Sequence, residues 1–300
     1  IVFLIGAKIY SPFWFHQPVH HIYEFYPRIC TKPYIKRKQP PRFGVFCKPN
    51  QIVSYLWKDM EEDSFTICIR LLQGHYVDNN THLYHVNYKE LENRLKVDTM
   101  SMLSIYYDTY RNEPSFKETL NLSKAWGIIA SRPINLFFLK YPSHNMRIHY
   151  FDFLCVHSEY QIKNIGRNLM QTHIYNHPRN DSSFNGVYLM KKENELCKGV
   201  VPFIKTVVHT FLLKPTPIQT LPKYYRVFRV TKNQEMLWKT IYAEMMNVFD
   251  CAILSPYEHS IKWLTDERYI VYVCVYRIQK VEHIHGVYIF ETTMVSWEHN

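Results

Sequence analysis

The chain has 300 residues, 47% hydrophobic and 16% aromatic, which excludes a disordered polymer and supplies enough apolar material for a large core or two fused lobes. Lys and Arg outnumber Asp and Glu by 36 to 26, a net charge of +10 suited to nucleic acid, an anionic membrane or an anionic cofactor. Seven cysteines, odd in number and with no C-x-x-C pair, argue against a disulfide scaffold or structural zinc and for free thiols in a reducing, cytoplasmic setting.

The opening Ile1 to Ala7 is apolar but too short to span a bilayer and is followed by Lys8, so no transmembrane segment is expected. The concentrated basic run from Lys32 to Arg42 holds three prolines and reads as a loop. No zinc-finger, homeodomain or RNA-recognition signature accompanies it, and no nucleic-acid partner is expected. Polar, insert-like stretches follow at Tyr110 to Lys117 and His177 to Ser183. The 16 histidines include the close pairs His20-His21 and His283-x-His285, but no ligand array, so no metal site is expected.

Scarce glycine and abundant Tyr and Phe predict many aromatic-filled strands, as in an α/β or α+β protein. Arg147 to His157 (RIHYFDFLCVH) reads as a buried strand. The next segment carries Ile162, Ile165, Leu169, Met170 and Ile174 at spacings that form one face of a helix, which Pro178 stops. A strand feeding a helix through a polar turn leaves the first helical N–H groups unpaired at the positive end of the helix dipole, a place for phosphate. Near the end, Asn233 to Val248 predicts a helix with Met236, Leu237, Ile241, Met245 and Val248 on one face, and Tyr269 to Ile278 and Gly286 to Thr293 predict strands.

Several strings carry a family resemblance. Gln161, Ile162, Lys163, Asn164, Ile165 and Gly166 resemble the Q/R-x-x-G-x-G/A pyrophosphate loop of GNAT acyltransferases, with Asn164 in place of the first glycine. Asn tolerates positive φ better than other side chains, which makes the exchange mild. Phe153 to His157 repeats FLCVH of the N-myristoyltransferase string NFLCVH. Further segments resemble that family in order: Phe13 to Val19 its FW-x-T-Q-P-V, Leu71 to Asp78 its LLNENYVED, and Asn87-Tyr88 its Asp-Tyr. Gly127 to Pro133 resembles GFISAIP, Gly199 to Pro202 resembles GVVLP, His209 and Leu212 echo H-R-S-L, and Lys223 to Arg226 echoes KLYR.

The resemblance implies a GNAT-like α/β fold of the double N-myristoyltransferase type, with residues 1–222 as an acyl-CoA lobe and 223–300 as a partial peptide lobe. It implies transfer of myristoyl from myristoyl-CoA, with no prosthetic group, to the N-terminal glycine amine of a protein or peptide, by a cytoplasmic monomer. The oxyanion would be met by the backbone amides of Phe153 and Leu154. Pro12, Phe13, Trp14, Cys155, Val156 and the loop from Gln161 to Gly166 would hold acyl-CoA, and Tyr76, Asp78 and His209 would face the acceptor. Transfer would be direct, so Cys155 is not a nucleophile.

Three departures leave other readings open: a non-catalytic acyl-CoA or peptide binder, or a GNAT with another acyl donor. The chain stops at Asn300, short of the C-terminal carboxylate that serves the family as base; the acidic run is reduced to Asp78-Asn79-Asn80-Thr81; and Asp152 stands where the family has Asn. Asp152 is a candidate general base or amine anchor, or else a strand carboxylate paired with a basic neighbour.

Overall fold

The computed structural model describes residues 12–17, 19–21, 43–76, 82–96, 98–108, 125–177, 186–191, 200–202, 204, 205, 207, 220–279, 281–292 and 295–297. Asp78, His209, the basic run at 32–42 and the insert at 110–117 lie outside the described residues, as do the side chains of Ile162 and Lys163.

The described elements run in the order α1 (Pro12–His16), β1 (Ile52–Leu56), α2 (Glu62–His75), β2 (His82–Tyr84), α3 (Tyr88–Leu95), β3 (Met102–Tyr107), β4 (Ala125–Phe138) and β5 (Met146–Val156). They continue with α4 (Ile165–Asn176), β6 (Tyr188–Met190), β7 (Tyr225–Arg229), α5 (Glu235–Val248), β8 (Cys251–Leu254), α6 (Tyr257–Ser260), β9 (Tyr269–Ile278), β10 (Val281–Glu291) and β11 (Val295–Trp297). A six-stranded sheet has the order β1-β3-β4-β5-β6 with β8 also on β4, a second sheet has the order β10-β9-β7, and β11 pairs with β2. The mixed α/β character expected from the aromatic-rich strands is present. No helix among the described residues is long and apolar enough to cross a membrane.

Strand alternation builds a three-layer unit around the large sheet. Leu103, Ile105, Tyr107, Ile128, Ala130, Phe153 and Cys155 pack with Phe65, Cys68, Leu72 of α2 and Leu91, Leu95 of α3. Tyr106, Ile129 and Phe151 turn to the opposite side and pack with Ile165, Leu169 and Met170 of α4. Asn87 starts α3 with a reciprocal cap, its side chain accepting from the Glu90 N–H while the Glu90 carboxylate accepts from the Asn87 N–H.

β4 is shared along one edge: β3 pairs with it up to Ser131, and β8 takes over from Asn135 to Phe138. Pro133 falls between those two pairings, where its missing N–H breaks neither ladder. In the second sheet, Val271, Val273 and Val275 of β9 pack against Trp238 and Ile241 of α5.

Three local expectations are corrected. The helix after β5 starts at Ile165, because a 3₁₀ segment occupies Ser158–Lys163 and Asn164 breaks the path at φ 60°. In α5 the buried residues are Trp238, Ile241 and Tyr242, whereas Met236 and Val248 are exposed at 75% and 69%. The indole demands the most burial and sets the helix rotation. β10 begins at Val281, earlier than Gly286, because Glu282, His283 and His285 are polar and exposed and leave the half-buried Ile284 as a single apolar signal.

Candidate functional site

β5 carries the site because one of its edges is only partly covered. On one side it pairs antiparallel with β4 from Met146 to Val156. On the other, parallel β6 pairs only with His149, Tyr150 and Phe151. Among the described residues, no strand takes the β5 edge from Asp152 to Val156. The His157 N–H donates to the Trp126 carbonyl on β4 (2.8 Å). Antiparallel alternation then turns the Leu154 and Val156 N–H groups away from β4, toward the free edge.

The register shifts next to these donors. Phe153 lies opposite Ala130 and Phe151 opposite Ser131, so Asp152 is an extra residue in β5, a β-bulge. Its effect on packing is plain: Phe151 and Phe153, two residues apart, face opposite sides of the sheet. The bulge precedes Phe153, which keeps the register of Leu154 to Val156, so alternation turns the Phe153 N–H to β4 and the Leu154 N–H to the free edge.

The free edge opens into a groove of about 480 Å³. Leu154, Cys155 and Val156 form one wall, His75 and Tyr76 at the end of α2 another, and Gln161, Asn164, Gly166 and Arg167 a third. Asn164 adopts the left-handed conformation expected of the residue replacing glycine (φ 60°, ψ 16°), and α4 starts immediately after it. The first N–H groups of α4 have no intrahelical acceptor and sit at the positive end of its dipole. Arg167 adds a guanidinium, whose Nη1 donates to Asn164 Oδ1 (2.9 Å).

The predicted residues divide into those at the groove and those behind it. Leu154, Cys155, Val156, Gln161, Asn164, Gly166 and Tyr76 line it. Ile165 points inward and is buried under α4. Phe13 is buried and Trp14 partly so; both pack in the same cluster as Ile165, with Phe13 edge-on to Trp14 (5.1 Å) and Phe46 (5.2 Å). Pro12 precedes them in α1, and none of the three lines the groove. Their segment is fastened to α4 by a Gln17 to Gln171 hydrogen bond (2.6 Å).

Cys155 is buried, its thiol donating to the Leu71 carbonyl (3.3 Å), and burial pushes its pKa up to about 12. A thiol so held is not a nucleophile at neutral pH. Asp152 does not line the groove. Its carboxylate accepts from Arg132 Nε at 2.5 Å and is 3% exposed. The Tyr76 hydroxyl reaches the Asp152 carbonyl at 3.4 Å, and the Tyr76 ring stands 5.6 Å from that of Phe153.

Two groove residues escaped the sequence reading. His75 comes from a distant helix, stacks on His157 (3.9 Å) and meets Ser158 Oγ at 3.3 Å. Arg167 had a usable signal: a cation in a first helical turn that contains no acid runs against the helix dipole unless an anion is bound there.

No family model matches the chain, and no curated protein matches it. Crystal structures of Saccharomyces cerevisiae N-myristoyltransferase with bound myristoyl-CoA are similar, one at 13% identity with TM-score 0.59, covering 94% of this chain and 66% of that one. A second has 14% identity and TM-score 0.60 over 93% and 69% of the two chains. A third, with myristoyl-CoA and inhibitors, has 12% identity and TM-score 0.59 over 97% and 70%. The chain thus spans about two thirds of the length of these enzymes. At these identities the likeness concerns architecture, and the protein has a GNAT-like α/β fold of the N-myristoyltransferase kind.

Proposed function

We propose that this chain is an acyl-CoA N-acyltransferase, and within that class that it moves myristoyl from myristoyl-CoA to the N-terminal glycine amine of a protein or peptide. One observation carries the reading: the free edge of β5 and the amino end of α4 line the same groove. An acyl-CoA thioester needs both, a donor for its carbonyl oxygen and a cationic cradle for its phosphates.

In this reading the pyrophosphate rests on the first N–H groups of α4, with Gln161, Asn164 and Arg167 around it. The pantetheine arm runs along Leu154 to Val156. The acceptor amine attacks the thioester carbon, the carbonyl electrons move to oxygen, and the Leu154 N–H meets the resulting oxyanion. The nitrogen gives a proton to solvent, collapse of the tetrahedral species breaks the C–S bond and expels CoA as a thiolate that takes up a proton, and the amide product retains the acyl chain. In this reading Leu154 is the donor on the groove side, since Phe153, opposite Ala130 in the same register, turns its N–H to β4. The myristoyl donor is supported by the solved neighbours, which hold myristoyl-CoA. The first sheet would serve the donor and residues 223–300 the acceptor, with Tyr76, Asp78 and His209 toward it. The same reading makes the protein a monomer in the cytoplasm, where thiols such as Cys47, Cys68 and Cys155 stay reduced.

A second reading, a non-catalytic acyl-CoA binder, is favoured by one fact: none of the described residues lining the groove is a carboxylate. CoA release from myristoyl-CoA separates the two, measured with a glycine-initiated peptide and with the same peptide acetylated at its amine. Release that needs the free amine supports transfer. Tight binding without release supports the binder, and no binding removes both.

A further inference from the structure

Asp152 and Arg132 meet at a place that matters for the groove without belonging to it. Asp152 is the extra residue of the β5 bulge, two residues before Leu154. A bulge leaves its extra residue without a partner in the ladder, so something else must fix its backbone. Here Arg132 of β4 reaches the Asp152 carboxylate at 2.5 Å, with side chains only 19% and 3% exposed. Arg132 is itself held: its guanidinium lies 5.5 Å from the Tyr150 ring centroid, and its Nη1 is 3.4 Å from Ser255 Oγ. Arg94 also acts on Asp152 electrostatically and is paired with Glu291 at 3.1 Å.

Neither half of this pair is tolerable alone at this burial, because removing one leaves the other charge buried without its partner.

Building on the acyltransferase reading above, we propose that Arg132 and Asp152 form a charge clamp on the β5 bulge that aims the Leu154 amide into the groove. Asp152 is thereby a positioning residue, and the proton of the attacking amine passes to solvent and is made up on the departing CoA thiolate. The carboxylate is turned to Arg132, away from the groove walls.

The test compares the full chain with Asp152→Asn, Arg132→Ile and the double variant that carries both. Three quantities are read: hydrogen exchange of the backbone segment 150–157, kcat for CoA release with a glycine-initiated peptide, and Kd for myristoyl-CoA. Each single variant speeds exchange about tenfold and lowers kcat about tenfold with Kd nearly unchanged, and the double variant returns both to within about threefold of the parent. A single variant that fails to fold while the double folds is the same rescue in stronger form.

Wild-type behaviour in Asp152→Asn overturns the proposal, as does a double variant no better than the singles. Exchange restored in the double with kcat still lost overturns it differently, by making the carboxylate itself the proton acceptor. If the parent chain releases no CoA, the acyltransferase reading fails on its own. Exchange alone then decides the clamp: recovery in the double variant upholds it, and no recovery overturns it.

Discussion

Gly127 of β4, opposite Val156 of β5, comes so close to the neighbouring Cys155 that a β-carbon on Gly127 would stand 2.9 Å from the Cys155 carbonyl oxygen. The same carbon would lie 3.0 Å from Leu169 Cδ1 and 3.3 Å from Ile165 Cγ2, both on α4. The glycine therefore sets how near α4 comes to the sheet, and with it the position of the helix end that borders the groove. Gly127→Ala is expected to cost about 1–3 kcal/mol by overpacking, read by denaturant unfolding. It should also weaken acyl-CoA binding, because α4 must shift.

Arg167 is the second place where a single change should speak. Its only hydrogen-bond partner among the described residues is the neutral Asn164 side chain, and no carboxylate among them pairs with it. Arg167→Gln should weaken binding of CoA about tenfold, near 1.4 kcal/mol, and flatten its salt dependence. Titration calorimetry at two ionic strengths checks this; equal affinity for both proteins would separate Arg167 from the phosphates.

Cys155 should be chemically silent. Its burial and raised pKa, about 12, predict no labelling by iodoacetamide at pH 8 in the native protein and full labelling in denaturant. Incubation with myristoyl-CoA should leave no acyl mass on the Cys155 peptide. An acyl adduct there would replace direct transfer with a two-step route.

Buried and half-buried histidines on β5, α4 and α6 predict acid lability. His173 is buried with Nδ1 2.8 Å from Ser104 Oγ and Nε2 2.8 Å from Ser131 Oγ. Burial, with His177 nearby, holds its pKa well below the usual value. Burial and the neighbours His177, His173 and Arg147 push His149 down to about 2, and burial and Arg132 push His259 down to about 4. Above pH 6.5 these groups are neutral folded or unfolded and contribute no pH dependence. Below it the unfolded chain takes up protons that the fold refuses, so stability falls, down to about pH 4 for His259 and about pH 2 for His149. Each such histidine should cost about 2 kcal/mol between pH 7.5 and pH 5, visible in urea unfolding. Stability unchanged at pH 5 would mean that the cluster admits protons or water.

Where local pattern decides structure, the sequence was legible. The apolar run of β5, the helical spacing of α4 and the aromatic strand β9 follow from periods of two and 3.6 residues. Asn164 was readable through the resemblance: it stands where the family loop has glycine, and a left-handed backbone follows from that place. Pairing was not readable. Nothing local says that β8 joins β4, that β6 stops opposite Phe151, or that β5 bulges at Asp152, because each depends on a partner far along the chain. The groove was half visible for that reason. Residues 154–166 lie on one continuous segment, whereas His75 arrives from α2 through the packing of Leu71 and Leu72. Phe13 was tied to the cofactor by resemblance, and the fold uses it as core.

The shared edge of β4 has a consequence for how the protein is made. Its half from Asn135 to Phe138 is matched by Leu254 to Cys251, more than a hundred residues later in synthesis. Until those residues leave the ribosome, a strand end bearing Leu136, Phe137 and Phe138 is an open template for any other chain. The late-arriving β8 closes it, and the paired loops at Leu139 and Asp250, joined by a 3.1 Å backbone hydrogen bond, lock the closure. Translation that halts before Cys251 should therefore leave a product that aggregates through this edge, even though the strands beside the groove are already complete.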